Sequence, residues 1–411
     1  MLLLHYNNNG GTMAQKSIFQ NPIIAEQSKA EVPFVPDRYL GHTMPRNRDF
    51  LGESGYISLE DMIQQIKKSR KRAVLNIGDS STSGWDSNIV TENRARLAKG
   101  EALKPAFFRY KTYSDYLREV VGDQFIVINA GVPAHTSLQG RRRLEQLVDR
   151  FEIEGIHTDY VTAYYGNNDS VWEENREDKE WVGSSFFGKL KKSFSKRQSG
   201  TIVTRTTPQD YQKNMESIVE FCREKGAIPI LIEPQTPLYW KPGTRVKNEE
   251  LPKRNGEGWR LVYSSLDYAR ELWNKVLSND YSELKIEILK QARERDYVVP
   301  RIKREHLERL QAVARQEDAP LISIDLDRSQ DDIRYFIDYC HPIGDANKQI
   351  AENIARVIQD YESGQKRPIK NYQAPLGYRI LEKTLDFLSY FIKPSGKNTR
   401  AEPPTDNYPL F

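Results

Sequence analysis

Four short stretches of this 411-residue chain carry residue types that can do chemistry. They are Gly78-Asp79-Ser80-Ser81-Thr82-Ser83-Gly84, Asn129-Ala130-Gly131, Gly166-Asn167-Asn168-Asp169 and Asp338-Tyr339-Cys340-His341. A serine hydroxyl is a poor nucleophile until a base takes its proton. An imidazole is suited to that near neutral pH. A carboxylate can accept from the other ring nitrogen, fixing the tautomer and stabilising the imidazolium that forms. Asp338 stands three residues before His341, a spacing compatible with such a pair. Attack on a carbonyl also develops an oxyanion, which needs backbone N–H groups or a side-chain amide as donors. Each residue has a plainer use too. Ser80 could be a helix N-cap, Asp79 an acceptor for turn amides, and Asn167, Asn168 and Asp169 turn residues. Gly131-Val132-Pro133 could be a simple strand-to-helix turn, and Cys340 a small apolar filler.

The elements that must position these residues are legible as periodicity. Short apolar runs without polar alternation lie at Ala73–Ile77, Phe125–Asn129, Tyr160–Tyr165, Ile228–Glu233 and Leu321–Ile324. Such runs predict parallel strands covered on both faces. Amphipathic segments fall between or beside them at Leu59–Lys68, Tyr113–Val121, Leu138–Phe151 and Asp210–Lys225. Alternation of strand and helix predicts an α/β domain with a doubly wound, five-stranded parallel sheet. In such sheets ligands bind beyond the carboxyl ends of the strands. Three of the four chemical stretches follow a predicted strand directly, and Asp338–His341 follows the fifth.

The four blocks, in this order and at these strand ends, resemble the SGNH/GDSL hydrolase family of serine esterases and acyl hydrolases. The likeness spans Gly78 to His341, about two thirds of the chain. It implies a three-layer α/β/α flavodoxin-like fold, here a larger member with a helical insert. The family's four naming residues map onto Ser80, Gly131, Asn168 and His341, with Asp338 as third member of a triad. By the same resemblance the oxyanion hole is built from the N–H groups of Ser80 and Gly131 and the side-chain amide of Asn168. Gly131, lacking a Cβ, could let its backbone approach a ligand. Trp85 stands where a small residue is common in the family and could shape the pocket. His135, close to the Gly131 turn, and Asn167 are further candidates for lining it. Ala292-Arg293-Glu294-Arg295-Asp296, followed by Arg301, is similar to a segment of larger family members, which makes Arg301 a candidate substrate contact. A surface arginine is the plainer reading.

Three domains of sequence are expected: an N-terminal arm at 1–60, the hydrolase domain at 61–362, and a tail at 363–411 with a short amphipathic helix at Ile380–Ile392. Two inserts, 170–207 and 234–320, interrupt the α/β alternation. The first holds Phe186–Arg197, aromatic and basic, either a lid that meets lipid or a loop tucked onto the domain. The basic run Lys67–Arg72 reads as a solvated turn. The apolar fraction of 38% falls below the roughly 45–50% of an average domain, which fits a core with polar insertions.

Composition excludes several classes. A net charge of +4 is slight for this length, so nucleic-acid binding is not expected. Two cysteines, six histidines and no HExxH or CxxC motif speak against a disulfide framework, a metal site or any cofactor. No run approaches the roughly 20 apolar residues of a spanning helix. Met1–Leu4 is too short for a signal core, so a cytoplasmic location is expected, with Met1 or Met13 as the start. The expected function is hydrolysis of a small-molecule, carbohydrate or lipid ester, an O-acetyl or short acyl ester above all. An O-acyltransferase using the same residues and a silent binding protein of the same fold are the alternatives. A homo-oligomer is compatible with the sequence.

Overall fold

The computed structural model describes residues 35–37, 41–43, 50–52, 55–85, 96, 110–174, 202–246, 249–250, 257–278, 282–326 and 330–365. The segment Phe186–Arg197, both candidate start methionines and the helix read at Ile380–Ile392 lie outside these residues. The chain divides into two units, Met1–Ile369 and Lys370–Phe411, and the described residues all belong to the first.

In chain order the elements begin with β1 (Val35–Asp37) and β2 (Gly41–Thr43), an antiparallel pair. Then come β3 (Phe50–Gly52), β4 (Gly55–Ile57), α1 (Leu59–Ser69), β5 (Arg72–Gly78) and the four-residue α2 (Ser80–Ser83). They are followed by α3 (Tyr113–Val121), β6 (Phe125–Asn129), α4 (Ser137–Ile153) and β7 (Thr158–Tyr164). Strands β8 (Trp172–Glu174) and β9 (Ile202–Thr204) pair antiparallel at the two ends of the first insert. Next are α5 (Pro208–Glu224), β10 (Ile228–Ile232), β11 (Thr244–Val246) and β12 (Glu249–Glu250). Helices α6 (Glu257–Ser278), α7 (Ser282–Arg295) and α8 (Arg304–Gln316) occupy the second insert. The chain closes with β13 (Leu321–Ile322), a 3₁₀ turn at Gln330–Tyr335 and α9 (Asp345–Glu362).

The main sheet runs in the order β13-β10-β7-β5-β6-β3-β4. The five strands expected from sequence are its parallel part. Their order, with the first strand β5 lying between β6 and β7, is the flavodoxin-like one, and the winding reverses at β5/β7. Two short strands absent from the sequence reading, β3 and β4, extend the β6 edge antiparallel. They come from the stretch read as a surface arm. Three residues are too few to display a period of two.

Alternate side chains of each strand feed two apolar layers. On one face Ala73, Leu75, Ile77, Val161 and Leu231 pack under α1, α4, α5 and α8. On the other Val74, Val127, Tyr160, Ile230 and Ile322 pack under α3 and α9. Each fully buried aliphatic side chain contributes roughly 1.5–3 kcal/mol relative to leaving it exposed. Capping fixes where helices begin. Ser58 accepts from Asp61 N, Thr207 accepts from Asp210 N, and Thr112 and Thr136 open α3 and α4 with capping boxes. No helix among the described residues is long and apolar enough to cross a membrane.

Helix α4 approaches β7 closely because residue 140 is glycine. A Cβ there would lie 2.2 Å from the Cζ of Tyr165, whose ring is fully buried. Alanine normally favours a helix interior by roughly 0.5–1 kcal/mol over glycine, but overpacking a core costs roughly 1–3 kcal/mol. Gly140→Ala is therefore expected to destabilise the protein despite its helix propensity, read as a lower denaturation midpoint in urea.

The first residue of α4 is tied to the turn after β7. Asp169 Oδ1 accepts from Ser137 N at 3.0 Å and from Ser137 Oγ at 2.6 Å. Burial raises this carboxyl to about 6, against the opposing pull of those hydrogen bonds. Between its unfolded pKa, about 3.9, and 6 the folded chain holds more protons than the unfolded one. The group's contribution to stability therefore declines as pH rises through that window. Asp169→Asn lacks this titration. Its stability relative to wild type should improve between pH 4 and pH 7, measured by urea melts at both ends. A pH-independent difference would contradict the assignment.

Candidate active site

Ser80, Asn168 and His341 are brought together at the carboxyl ends of β5, β7 and the segment after β13. Strand β5 ends at Gly78, and Ser80 opens α2, where initial N–H groups have no partner within the helix. Asp79 shapes the turn: its Oδ1 accepts from Ser81 N at 2.8 Å. Ser80 Oγ lies 2.6 Å from His341 Nε2, and His341 Nδ1 lies 2.6 Å from Asp338 Oδ2. Ser80 is 9% exposed and His341 3% exposed, so the chain of bonds is close to water yet out of it.

The loop that carries the histidine is built by the same aspartate. Asp338 Oδ1 accepts from the backbone N–H groups of Cys340 and His341, at 2.9 and 3.0 Å. Ile337 N donates to His341 O, and Ile343 N to Tyr335 O, a narrow antiparallel pairing that closes the loop. Asn347, in the first turn of α9, donates from Nδ2 to Pro342 O at 2.7 Å and holds the loop from below. Cys340 is buried, and burial drives its thiol well above the ordinary range, which leaves it a packing group.

Gly131 lies close against α2. A Cβ there would lie 2.5 Å from Ser83 N and 2.8 Å from Thr82 Cβ, so the missing atom makes room for α2 itself. Its N–H donates to Asn129 Oδ1 at 3.1 Å, while Asn129 Nδ2 donates to Thr82 O at 2.6 Å. Asn168 Nδ2 donates to Asp79 Oδ2 and to His135 O, both at 3.2 Å. The Gly131 and Asn168 donors are thus engaged inside the protein, through bonds at the long end of the usual range. The Asp79 carboxyl between them is raised to about 6, chiefly by burial.

The remaining candidates fall around this centre. Trp85 N donates to Ser80 O at 3.1 Å, so Trp85 borders α2, and its side chain is partly exposed. His135 is buried and meets Asn168 through its carbonyl. Asn167 Oδ1 accepts from Ile302 N at 2.9 Å, linking the turn after β7 to the second insert. Arg301, beside Ile302, is 1% exposed, which overturns the surface reading. Its Nη2 donates to Asp296 Oδ2.

Sequence reasoning missed the groups that brace these turns. Arg143 Nε donates to Ala130 O at 3.1 Å, and Arg205 Nη1 to Ala134 O at 2.9 Å, so two buried guanidiniums grip the Gly131 turn from either end. Ala134 adopts φ +64°, a left-handed conformation that costs a non-glycine residue energy unless held in place. Tyr110, just before α3, was missed as well. Its hydroxyl is buried without a hydrogen-bond partner, and its pKa rises well above the ordinary value through burial and then the Asp338 carboxylate. No pattern in the sequence marks these residues, because their roles come from neighbours distant along the chain.

One group of metal-ligand type occurs among the described residues, Asp338, Cys340 and His341. Its Asp338 Oδ2 and His341 Nδ1 are spent on each other, so the set reads as a hydrogen-bonded pair with a thiol packed beside it.

No family model and no curated protein matches the chain. Solved structures similar to it include the psychrotrophic esterase EstA from Pseudoalteromonas, 13% identical, with 71% of this chain and 100% of that one covered and a TM-score of 0.33. A lipolytic protein of the G-D-S-L family from Desulfitobacterium hafniense is 14% identical, over 70% of this chain and 99% of that one, with a TM-score of 0.33. A GDSL-like lipase from Bacteroides thetaiotaomicron is 13% identical, over 74% of this chain and 96% of that one, with a TM-score of 0.34.

Proposed function

We propose that this protein is a serine hydrolase that cleaves the ester of a small acyl group through an acyl-Ser80 intermediate. The observation that carries the reading is the pair of 2.6 Å contacts linking Ser80 Oγ, the His341 ring and Asp338. His341 Nε2 takes the hydroxyl proton as Oγ bonds to the ester carbon, and the carbonyl π electrons move onto oxygen. Asp338 stabilises the imidazolium and keeps Nδ1 protonated. When the tetrahedral adduct collapses, the bond to the alcohol breaks and Nε2 returns the proton to that oxygen. Water then repeats the sequence on the acyl-serine, releasing the acid.

The oxyanion needs donors. The Ser80 N–H at the start of α2 is one. Asn168 Nδ2 and Gly131 N–H are the others, exchanging their present acceptors for a charged oxygen, which forms shorter and stronger hydrogen bonds than a neutral one. Catalytic hydrogen bonds commonly tighten only once substrate is bound. The substrate in this reading is an O-acetyl or other short acyl ester of a sugar or metabolite. An alcohol in place of water would make the same residues an acyltransferase, so product analysis with and without a sugar acceptor belongs with the activity measurement.

A fluorophosphonate probe should label the wild-type protein and leave Ser80→Ala unlabelled. Absence of labelling in the folded wild type would defeat the hydrolase reading. Asn168→Ala should lower kcat by roughly 100-fold or more, since loss of one oxyanion donor typically costs about 2.7–4 kcal/mol. An unchanged rate would remove Asn168 from the oxyanion site.

A further inference from the structure

Arg301 lies in the connection between α7 and α8, almost wholly out of water. A guanidinium in such a place is costly unless its donors are matched. One is matched, by Asp296, but Nε and Nη1 have no hydrogen-bond partner. Asn167 Nδ2 is buried and without a partner as well. These two unspent groups flank one contact, because Asn167 Oδ1 accepts from the N–H of Ile302, the residue after Arg301.

Their position relative to Ser80 is fixed from two sides. Asn167 precedes Asn168, whose amide reaches Asp79 beside the nucleophile. Val299, two residues before Arg301, packs with Tyr339 and Cys340 of the histidine loop. The Arg301 charge is also felt at the Cys340 thiol.

Other charged groups close the end of α7 around Arg301. Arg293 pairs with Glu294 at 3.1 Å. Lys303 Nζ donates to the carbonyls of Arg293 and Asp296 at 2.9 and 2.7 Å, closing the end of α7. Burial lowers Lys303 to about 8, so it stays protonated at neutral pH. Arg293, Arg301 and Lys303 gather here with the carboxylates Glu294 and Asp296, and Asp338 and Asp79 act with Arg301 on the Cys340 thiol. The unmatched N–H donors of Arg301 and Asn167 are suited to an oxyanion, which accepts several hydrogen bonds at once.

We infer that the ester cleaved at Ser80 carries a carboxylate or phosphate group, which Arg301 and Asn167 bind while the ester carbonyl meets Ser80 Oγ. This rests on the serine-hydrolase reading and adds the charge of the substrate to it.

The test compares kcat/KM, corrected for spontaneous hydrolysis, for phenyl acetate, 3-acetoxybenzoate, 3-acetoxyphenyl phosphate and monophenyl succinate. The charged esters place the anion on the alcohol side as carboxylate or phosphate, or on the acyl side. At least one should exceed phenyl acetate tenfold or more in the wild type. Arg301→Gln should reduce that charged-to-neutral ratio by tenfold or more, mainly through KM, and Arg301→Lys should reduce it less. Removing the arginine alone leaves Asp296 buried without its cation, so the double variant Asp296→Asn, Arg301→Gln is made alongside, with circular dichroism melts to establish folding. Equal handling of charged and neutral esters by the wild type overturns the inference, as does a ratio unmoved in a folded variant. Failure of the hydrolase reading is distinct: it is absence of fluorophosphonate labelling, whereas a labelled enzyme without charge preference defeats only the inference.

Discussion

The carboxylate of Asp338 holds the site together because its two oxygens do separate things. One gathers the backbone amides of Cys340 and His341 and so folds the loop; the other fixes the imidazole at 2.6 Å. A ring whose backbone and Nδ1 are held by one group has little freedom left in Nε2, which then meets Ser80 Oγ. The costs of burying this charge are offset by three hydrogen bonds, as a desolvated carboxylate requires. Loop shape and ring orientation are thereby coupled, and a change that frees the carboxylate disturbs both.

Around that centre, rigidity is supplied by close packing and by buried hydrogen bonds. Helix α2 can sit against the β6 turn only because residue 131 has no side chain. Arg143 and Arg205 hold the carbonyls on either side of that turn. Beneath α2 a buried polar chain runs from Asn76 through Thr162 and Tyr113 to Thr82. Fully matched networks of this kind specify one arrangement of the strand ends and are costly to break in part.

The parallel strands and the chemical residues at their ends were readable from sequence because both follow from short-range pattern. Runs such as Phe125–Asn129 are buried on both faces, and catalysis in this architecture gathers at strand termini. What could not be read depends on partners far along the chain. Arg301 looks like a surface residue until the bond from Ile302 N to Asn167, 135 positions away, draws its segment into the protein. The packing of α2 onto Gly131 is hidden in the same way, since no sequence pattern reveals it. Strands β3 and β4 escaped notice because pairing, not periodicity, makes them strands.

Ser80 and His341 are separated by 261 positions along the chain. Made from its N-terminus, the polypeptide leaves the ribosome with Ser80 long before His341 exists. Domains are completed as units during synthesis, at roughly 5–20 residues per second. Under the proposed function, every intermediate length lacking the histidine loop lacks the base that activates Ser80, however much of the sheet has assembled. The topology therefore places assembly of the Ser80–His341 contact after translation has passed the last strand, and a prematurely terminated product cannot form it.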